Sequence, residues 1–143
     1  MGEASTPKAT IVVPVYNSAS SIQRCLDSLL AQSERSIQVV CVNDGSADDS
    51  LRVLRQIAQT DDRVLVIDQK NAGVSCARNA GIDAAGGEVV FFVDADDYVD
   101  AQTVERVLQA MGSSDAEVAV FGGVCEPADA APKRVQQLMS PNA

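Results

Sequence analysis

Short runs rich in β-branched residues, Thr10 to Val15, Gln38 to Val42, Val64 to Ile67, Val89 to Val93 and Val118 to Phe121, are separated by longer stretches in which apolar residues return at helical spacing. The runs are nearly continuous in Val and Ile. That is the pattern of strands covered on both faces in a parallel sheet, whereas a half-exposed antiparallel strand would alternate. Between them, Ile22, Cys25, Leu26, Leu29 and Leu30, then Leu51, Leu54, Ile57 and Ala58, then Val104, Val107, Leu108 and Met111 each mark one apolar stripe of a helix. Ser18 or Asn17 is expected to cap the first helix and Ser46 or Asp48 the second, while Asn71 or Ser75 opens a third that ends at Gly86-Gly87. The order βαβαβαβαβ predicts an α/β domain with an open, mostly parallel, doubly wound sheet. Right-handed crossovers put helices on both faces, so ligands bind beyond the carboxyl ends of the strands.

The chain of 143 residues fits one domain. Residues 1–7 are small and polar and are expected to be disordered, residues 8–124 to form the folded domain, and residues 125–143 to form a loose tail. The tail begins where Glu126-Pro127-Ala128-Asp129-Ala130-Ala131-Pro132 breaks the pattern, and it offers at most a short helix around Arg134 to Met139. Met1 to Pro7 lacks the apolar core of a secretory signal, and no run nears the roughly 18 apolar residues that cross a bilayer. A cytoplasmic chain without a membrane span is expected.

Charge narrows the partners. With 11 basic and 20 acidic residues the formal net charge is −9 and no basic stripe is visible, so nucleic acid is not expected. A phosphorylated ligand would need a cation in this field, because Lys70 and Arg78 are the few positive groups near the acidic motifs. Cys25, Cys41, Cys76 and Cys125 form no C-x-x-C pair, and the chain has no histidine to complete a zinc site. They read as free thiols, with Cys25 and Cys41 buried in a helix stripe and a strand. Without histidine, a general base would have to be a carboxylate, lysine, tyrosine or cysteine.

The carboxyl ends of the strands carry the candidate chemistry. Strand one delivers Pro14-Val15-Tyr16-Asn17, strand two Asn43-Asp44-Gly45-Ser46, and strand four Asp94-Ala95-Asp96-Asp97. The last cluster is either a site for a hard divalent cation or a solvated turn capping the helix that begins near Ala101. Tyr16 offers an aromatic face to a flat ring, or merely covers the sheet edge. Asp44 can accept a hydrogen bond from a ring N–H or a sugar hydroxyl, or belongs to a common turn. Arg78 could pair with a phosphate or with the acidic cluster.

Four blocks together, Thr10-Ile-Val-Val-Pro-Val-Tyr-Asn17, Val42-Asn-Asp-Gly-Ser46, Asn71-Ala-Gly-Val-Ser-Cys-Ala-Arg-Asn-Ala-Gly81 and Phe92-Val-Asp-Ala-Asp-Asp97, resemble in order and spacing the family 2 glycosyltransferases of GT-A fold. The resemblance covers about residues 8 to 124 and implies the nucleotide-sugar-binding, Rossmann-like half of that fold. By it, Pro14, Tyr16 and Asn17 lie at the base of a nucleoside diphosphate sugar, usually a UDP-sugar, and Asp44 reads the base. Arg78 lies where the family contacts the nucleotide. Asp94 and Asp96 look like the D-x-D motif, with Asp94 near the ribose or sugar and Asp96 the direct ligand of Mn²⁺ or Mg²⁺, to which Asp94 is also available. The resemblance further implies inverting transfer to a saccharide or lipid-linked acceptor hydroxyl, with that acceptor held at the inner membrane face. The catalytic base and acceptor region of the family lie beyond the fifth strand, and nothing between Val124 and Ala143 matches them. The chain is therefore expected to be a donor-binding part, weak or inactive by itself. The alternative is a module that binds nucleotide sugar without transferring it.

Overall fold

The computed structural model describes residues 5–113. The element order is β1 (Ala9–Val15), α1 (Ile22–Leu30), β2 (Ile37–Asp44), α2 (Ser50–Thr60), β3 (Val64–Gln69), α3 (Val74–Ala84), β4 (Val89–Phe92) and α4 (Thr103–Gly112). The four strands form one parallel sheet in the order β3-β2-β1-β4. The chain thus winds one way through β1, β2 and β3 and then crosses back past β1 to β4. Right-handed connections put α1 and α2 on one face and α3 on the other. The strand predicted over Val118 to Phe121 and the tail lie outside the described residues.

Side-chain alternation confirms the two faces. In register, Val12 stands beside Val40 and Pro14 beside Val42, and Val40 and Val42 form a buried cluster with Ala77 of α3, flanked by Ala80 and Ala84. Their neighbours Cys41 and Asn43 point the other way, where Asn43 donates to Asp68 Oδ1 at 3.0 Å and Arg55 of α2 lies 3.9 Å from Asp68 Oδ2. The central strands β1 and β2 are buried along almost their whole length, as their continuous apolar runs require. β3 and β4 lie outermost in the described sheet and are covered less, with Leu65 and Phe92 both exposed. Their runs look like those of the central strands in the sequence, yet only the order of strands decides which are covered.

Helix starts differ from the expected caps. The N-cap positions are Ser21, Asp49 and Gly73 for α1, α2 and α3, and none makes a side-chain cap bond. Asn17, Ser46 and Asp48 are instead used between loops: Ser46 Oγ accepts from Asn17 N at 3.0 Å, Asn17 Oδ1 from Ala47 N at 2.8 Å, and Asp48 Oδ2 from Ala19 N at 3.1 Å. Asn17 and Ser46 each serve the neighbouring loop rather than their own helix, whereas Asp48 does both, its Oδ1 also accepting from the N–H of Ser50, the first residue of α2, at 3.0 Å. Among the described residues no helix is long and apolar enough to cross a membrane.

Candidate functional site

The loop after β1 is fixed before any ligand is considered. Asn17 adopts φ 49°, in the left-handed region that Asn tolerates better than most residues. With Ser18 N donating to Ser50 Oγ at 2.8 Å, the three cross-loop bonds above staple this turn to the β2–α2 turn. The outcome is a held Tyr16 that stays 55 % exposed at the sheet edge.

Asp44 ends β2 and is only 4 % exposed. Its Oδ1 accepts from Gln69 Nε2 at 3.0 Å and from Ala72 N at 2.8 Å, its Oδ2 from Gly73 N at 3.0 Å, and its backbone carbonyl from Asn71 Nδ2 at 3.0 Å. Burial works to raise the pKa of this carboxyl, but the donors from Gln69, Ala72 and Gly73 outweigh burial, so it titrates below the usual Asp value. Gly45 follows at φ 73°, and a Cβ there would lie 2.6 Å from Asn71 N, so this close turn admits only glycine. One carboxylate therefore organises the turn into α3.

Pro14, Tyr16 and Asp44 line a crevice of about 260 Å³ together with Asn71, Gly73, Val74 and Ala77 from the turn into α3 and its first residues. Its walls are mostly apolar with a few polar groups converging, the usual make-up of a small-molecule site, and its size suits one ring system rather than a whole nucleotide sugar. A larger depression of about 600 Å³ lies at the opposite, amino-terminal end of the sheet, lined by Arg35, Asp61, Arg63 and their neighbours. There Arg63 and Asp61 pair at 2.8 Å, and both arginines donate to the Leu30 carbonyl at the end of α1. Those charges are engaged in closing a helix end, so the smaller crevice at the carboxyl ends is the candidate site.

Beyond β4, Asp94, Asp96 and Asp97 are exposed and each offers an oxygen within 4.8 Å of the others. Partial burial, then the charges of Asp96 and Asp94, raise the pKa of Asp97. Three hard oxygen donors at this spacing fit Mn²⁺ or Mg²⁺ and suit a soft metal poorly. Arg78 of α3 reaches Asp94 Oδ1 at 3.5 Å, so the alternative left open in the sequence resolves, in this state, toward the acidic cluster. Four residues before Arg78 in the same helix, Val74 lines the crevice, and α3 is thereby the link between crevice and carboxylates.

The structure brings Pro14, Tyr16 and Asp44 together in the crevice and joins Arg78 to Asp94. It places Asn17 in the stapled turn and Asp94 and Asp96 outside the crevice walls. Sequence reasoning passed over Asn71, Gly73, Val74 and Ala77 as lining groups and left the cluster ending in Asp97 open between a cation site and a turn. The lining groups could have been found from their position at the start of a helix following β3.

The profile of the family described as Glycosyl transferase family 2 matches residues 10–141. The chain is 41% identical over 113 residues to the glycosyltransferase GlyA of Streptococcus pneumoniae, which covers 79% of this chain but 16% of GlyA. It superposes with TM-score 0.75 and 25% identity on S. aureus TarS 1-349 solved with UDP, over 89% of this chain and 38% of that one. A mannosyltransferase of Pyrobaculum calidifontis, solved with GDP-Man and Mn²⁺, superposes with TM-score 0.65 and 28% identity over 73% of this chain and 31% of its own. This chain thus spans well under half the length of these proteins. A sequence profile matched along nearly the whole chain, relatives at this identity and a four-stranded parallel sheet shared with TarS place it together: the chain belongs to glycosyl transferase family 2, in the amino-terminal half of the GT-A fold.

Proposed function

We propose that this chain is the donor- and metal-binding part of an inverting glycosyltransferase that moves a sugar from a UDP-sugar to an acceptor hydroxyl in the synthesis of cell-surface polysaccharide or glycolipid. One observation supports the reading above the rest: a base-sized crevice and a trio of carboxylates adjoin at the carboxyl edge of one sheet, joined through α3. In this reading the exposed ring of Tyr16 packs against the base, with Pro14 beneath it and Asn17 fixing the turn. Asp44 stays ionised and immobile, and its Oδ2, which takes one donor from Gly73, accepts the base N–H. Fixed orientation makes such an acceptor selective, since a base presenting no N–H there would leave a buried carboxylate without its partner.

Asp94 and Asp96 are the residues that would hold Mn²⁺ or Mg²⁺. When bound, the ion supplies Lewis-acid stabilisation of the departing diphosphate. Arg78 pairs with Asp94 in the absence of ligand and contributes its guanidinium to the diphosphate when one arrives. At net charge −9 the protein repels a diphosphate on its own, so the cation is integral to donor binding. That TarS has been solved with UDP and the mannosyltransferase with GDP-Man and Mn²⁺ supports both ligand classes. The acceptor, a saccharide or a lipid-linked one at the inner membrane face, belongs to the same reading.

Calorimetric titration of UDP tests it. Binding is expected with Mn²⁺ or Mg²⁺, undetectable after EDTA, and weaker for GDP; Asp96→Ala should remove the difference that metal makes. Equally tight binding by the wild type without metal would overturn the assignment.

A further inference from the structure

The segment between β4 and α4, residues 93–102, has no regular secondary structure, yet it carries the three carboxylates. Its shape comes from α1. Ser21 Oγ donates to the Ala95 carbonyl at 3.0 Å, Cys25 Sγ lies 3.6 Å from the Asp94 carbonyl, and Ser28 Oγ accepts from Val99 N at 3.2 Å. Gln32 Nε2 donates to the Asp100 carbonyl at 2.7 Å, Gln32 Oε1 accepts from Val104 N at 3.0 Å, and Ser33 N donates to the Ala101 carbonyl at 2.7 Å. Residues 21, 25, 28 and 32 follow one another at helical spacing, so a single stripe along α1 and its ends grips the loop backbone from Asp94 to Val104. Arg24 adds a stack on the Tyr98 ring at 4.4 Å from its centroid.

Gln32 is the anomaly in this stripe. It is 1% exposed, among the largest fully buried side chains of the chain. Its amide also donates to the Ser28 carbonyl at 3.0 Å, so donor and acceptor are both satisfied. A leucine would fill the same volume without the desolvation that a buried amide costs, and a fully satisfied polar group in a core adds specificity of arrangement more than stability. The arrangement specified here is the height of the acidic loop over α1.

We infer that Gln32, with Ser21 and Ser28, is a positioning residue of the cation site: it holds the loop so that the oxygens of Asp94, Asp96 and Asp97 stay together. This rests on the reading of that cluster as the Mn²⁺ or Mg²⁺ site. None of the three side chains touches the ion. They act on the carboxylates through the backbone that carries them, as partners behind metal ligands do elsewhere.

The experiment is Mn²⁺ binding to the full chain, with and without UDP, followed by the loss of the free-ion paramagnetic signal and by calorimetry. Gln32→Leu is expected to weaken Mn²⁺ binding by about tenfold or more, and Ser21→Ala, which keeps the core intact, by about fivefold. Gln38→Leu is the control. Gln38 bridges Thr10 Oγ1 and Gly86 N, both at 2.8 Å, at the far end of the sheet, and its loss should lower Tm while leaving Mn²⁺ affinity as in the wild type. Wild-type affinity in both Gln32→Leu and Ser21→Ala, or an equal loss in Gln38→Leu, overturns the positioning role. Should Gln32→Leu not fold, Ser21→Ala and Ser28→Ala decide by the same criterion. A wild type that binds no Mn²⁺ even with UDP present defeats the cation site itself, a result distinct from the other two.

Discussion

Asp44 shows how much one side chain can be asked to do. Its chemistry as an acceptor was legible from its place at a strand end, but its three donors come from Gln69, Ala72 and Gly73, some 25 to 29 residues away, and only the pairing of β2 with β3 brings them near. Two demands fall on one carboxylate: it organises the turn into α3 and, in the proposed function, it reads the base. Because the folded chain favours the ionised form, Asp44 contributes stability above its unfolded pKa of about 3.9, and that contribution fades as pH falls through the lower folded value. Asp44→Ala is therefore expected to cost about 2–4 kcal/mol at neutral pH, since hydrogen bonds to a charged group are lost and backbone donors are left buried. Urea melts of wild type and variant should show that gap narrowing as pH falls below the unfolded value of about 3.9. A gap unchanged with pH would mean that the charge of Asp44 does not hold the turn.

Among the elements, α3 carries the most. Ala77, Ala80, Gly81 and Ala84 present a small-residue face that lets the helix lie close over β1 and β2. A Cβ at Gly81 would stand 2.2 Å from Val12 Cγ1, and Val12 is fully buried in a central strand and cannot give way. Gly81→Ala sets two effects against each other: a helix-propensity gain of about 1 kcal/mol at most and an overpacking cost of about 1–3 kcal/mol. The overlap wins. The variant should lose about 1–2 kcal/mol by urea melt, and UDP affinity should fall as well, because lifting α3 moves Val74 and Ala77 of the crevice wall and Arg78 beside Asp94. A stabilised variant would show that the helix is free to shift. Strands and helix stripes were legible in the sequence since burial on a sheet or along a helix leaves a period. The helix starts were not, because Asn17 and Ser46 make equally good caps and cross-loop staples, and the choice between them is made by which loop the fold sets alongside, while Asp48 does both.

At the scale of the whole molecule, charge ties stability to ligand. The sequence displayed the acids, Asp97 among them, and the net charge of −9, but not that α1 holds their loop, for that depends on contacts between segments about 70 residues apart. Three carboxylates within 4.8 Å repel one another in a protein that is already acidic, and Arg78 offsets only part of that at Asp94. In the proposed function, the ligand-free chain is thus strained where it would bind a cation. Asp97→Asn relieves one repulsion without changing shape, and at an exposed position the gain should be about 0.5 kcal/mol, or about 1–2 °C in Tm. In the wild type, Mn²⁺ at about 100 times its Kd should add about 2.7 kcal/mol, because it binds the folded chain alone. The two effects oppose: Asp97→Asn should melt above the wild type without metal and below it with saturating Mn²⁺, a crossing that thermal melts at a series of Mn²⁺ concentrations would reveal. If instead the variant stays above the wild type at every concentration, Asp97 is a turn residue and the cation is held by Asp94 and Asp96 without it.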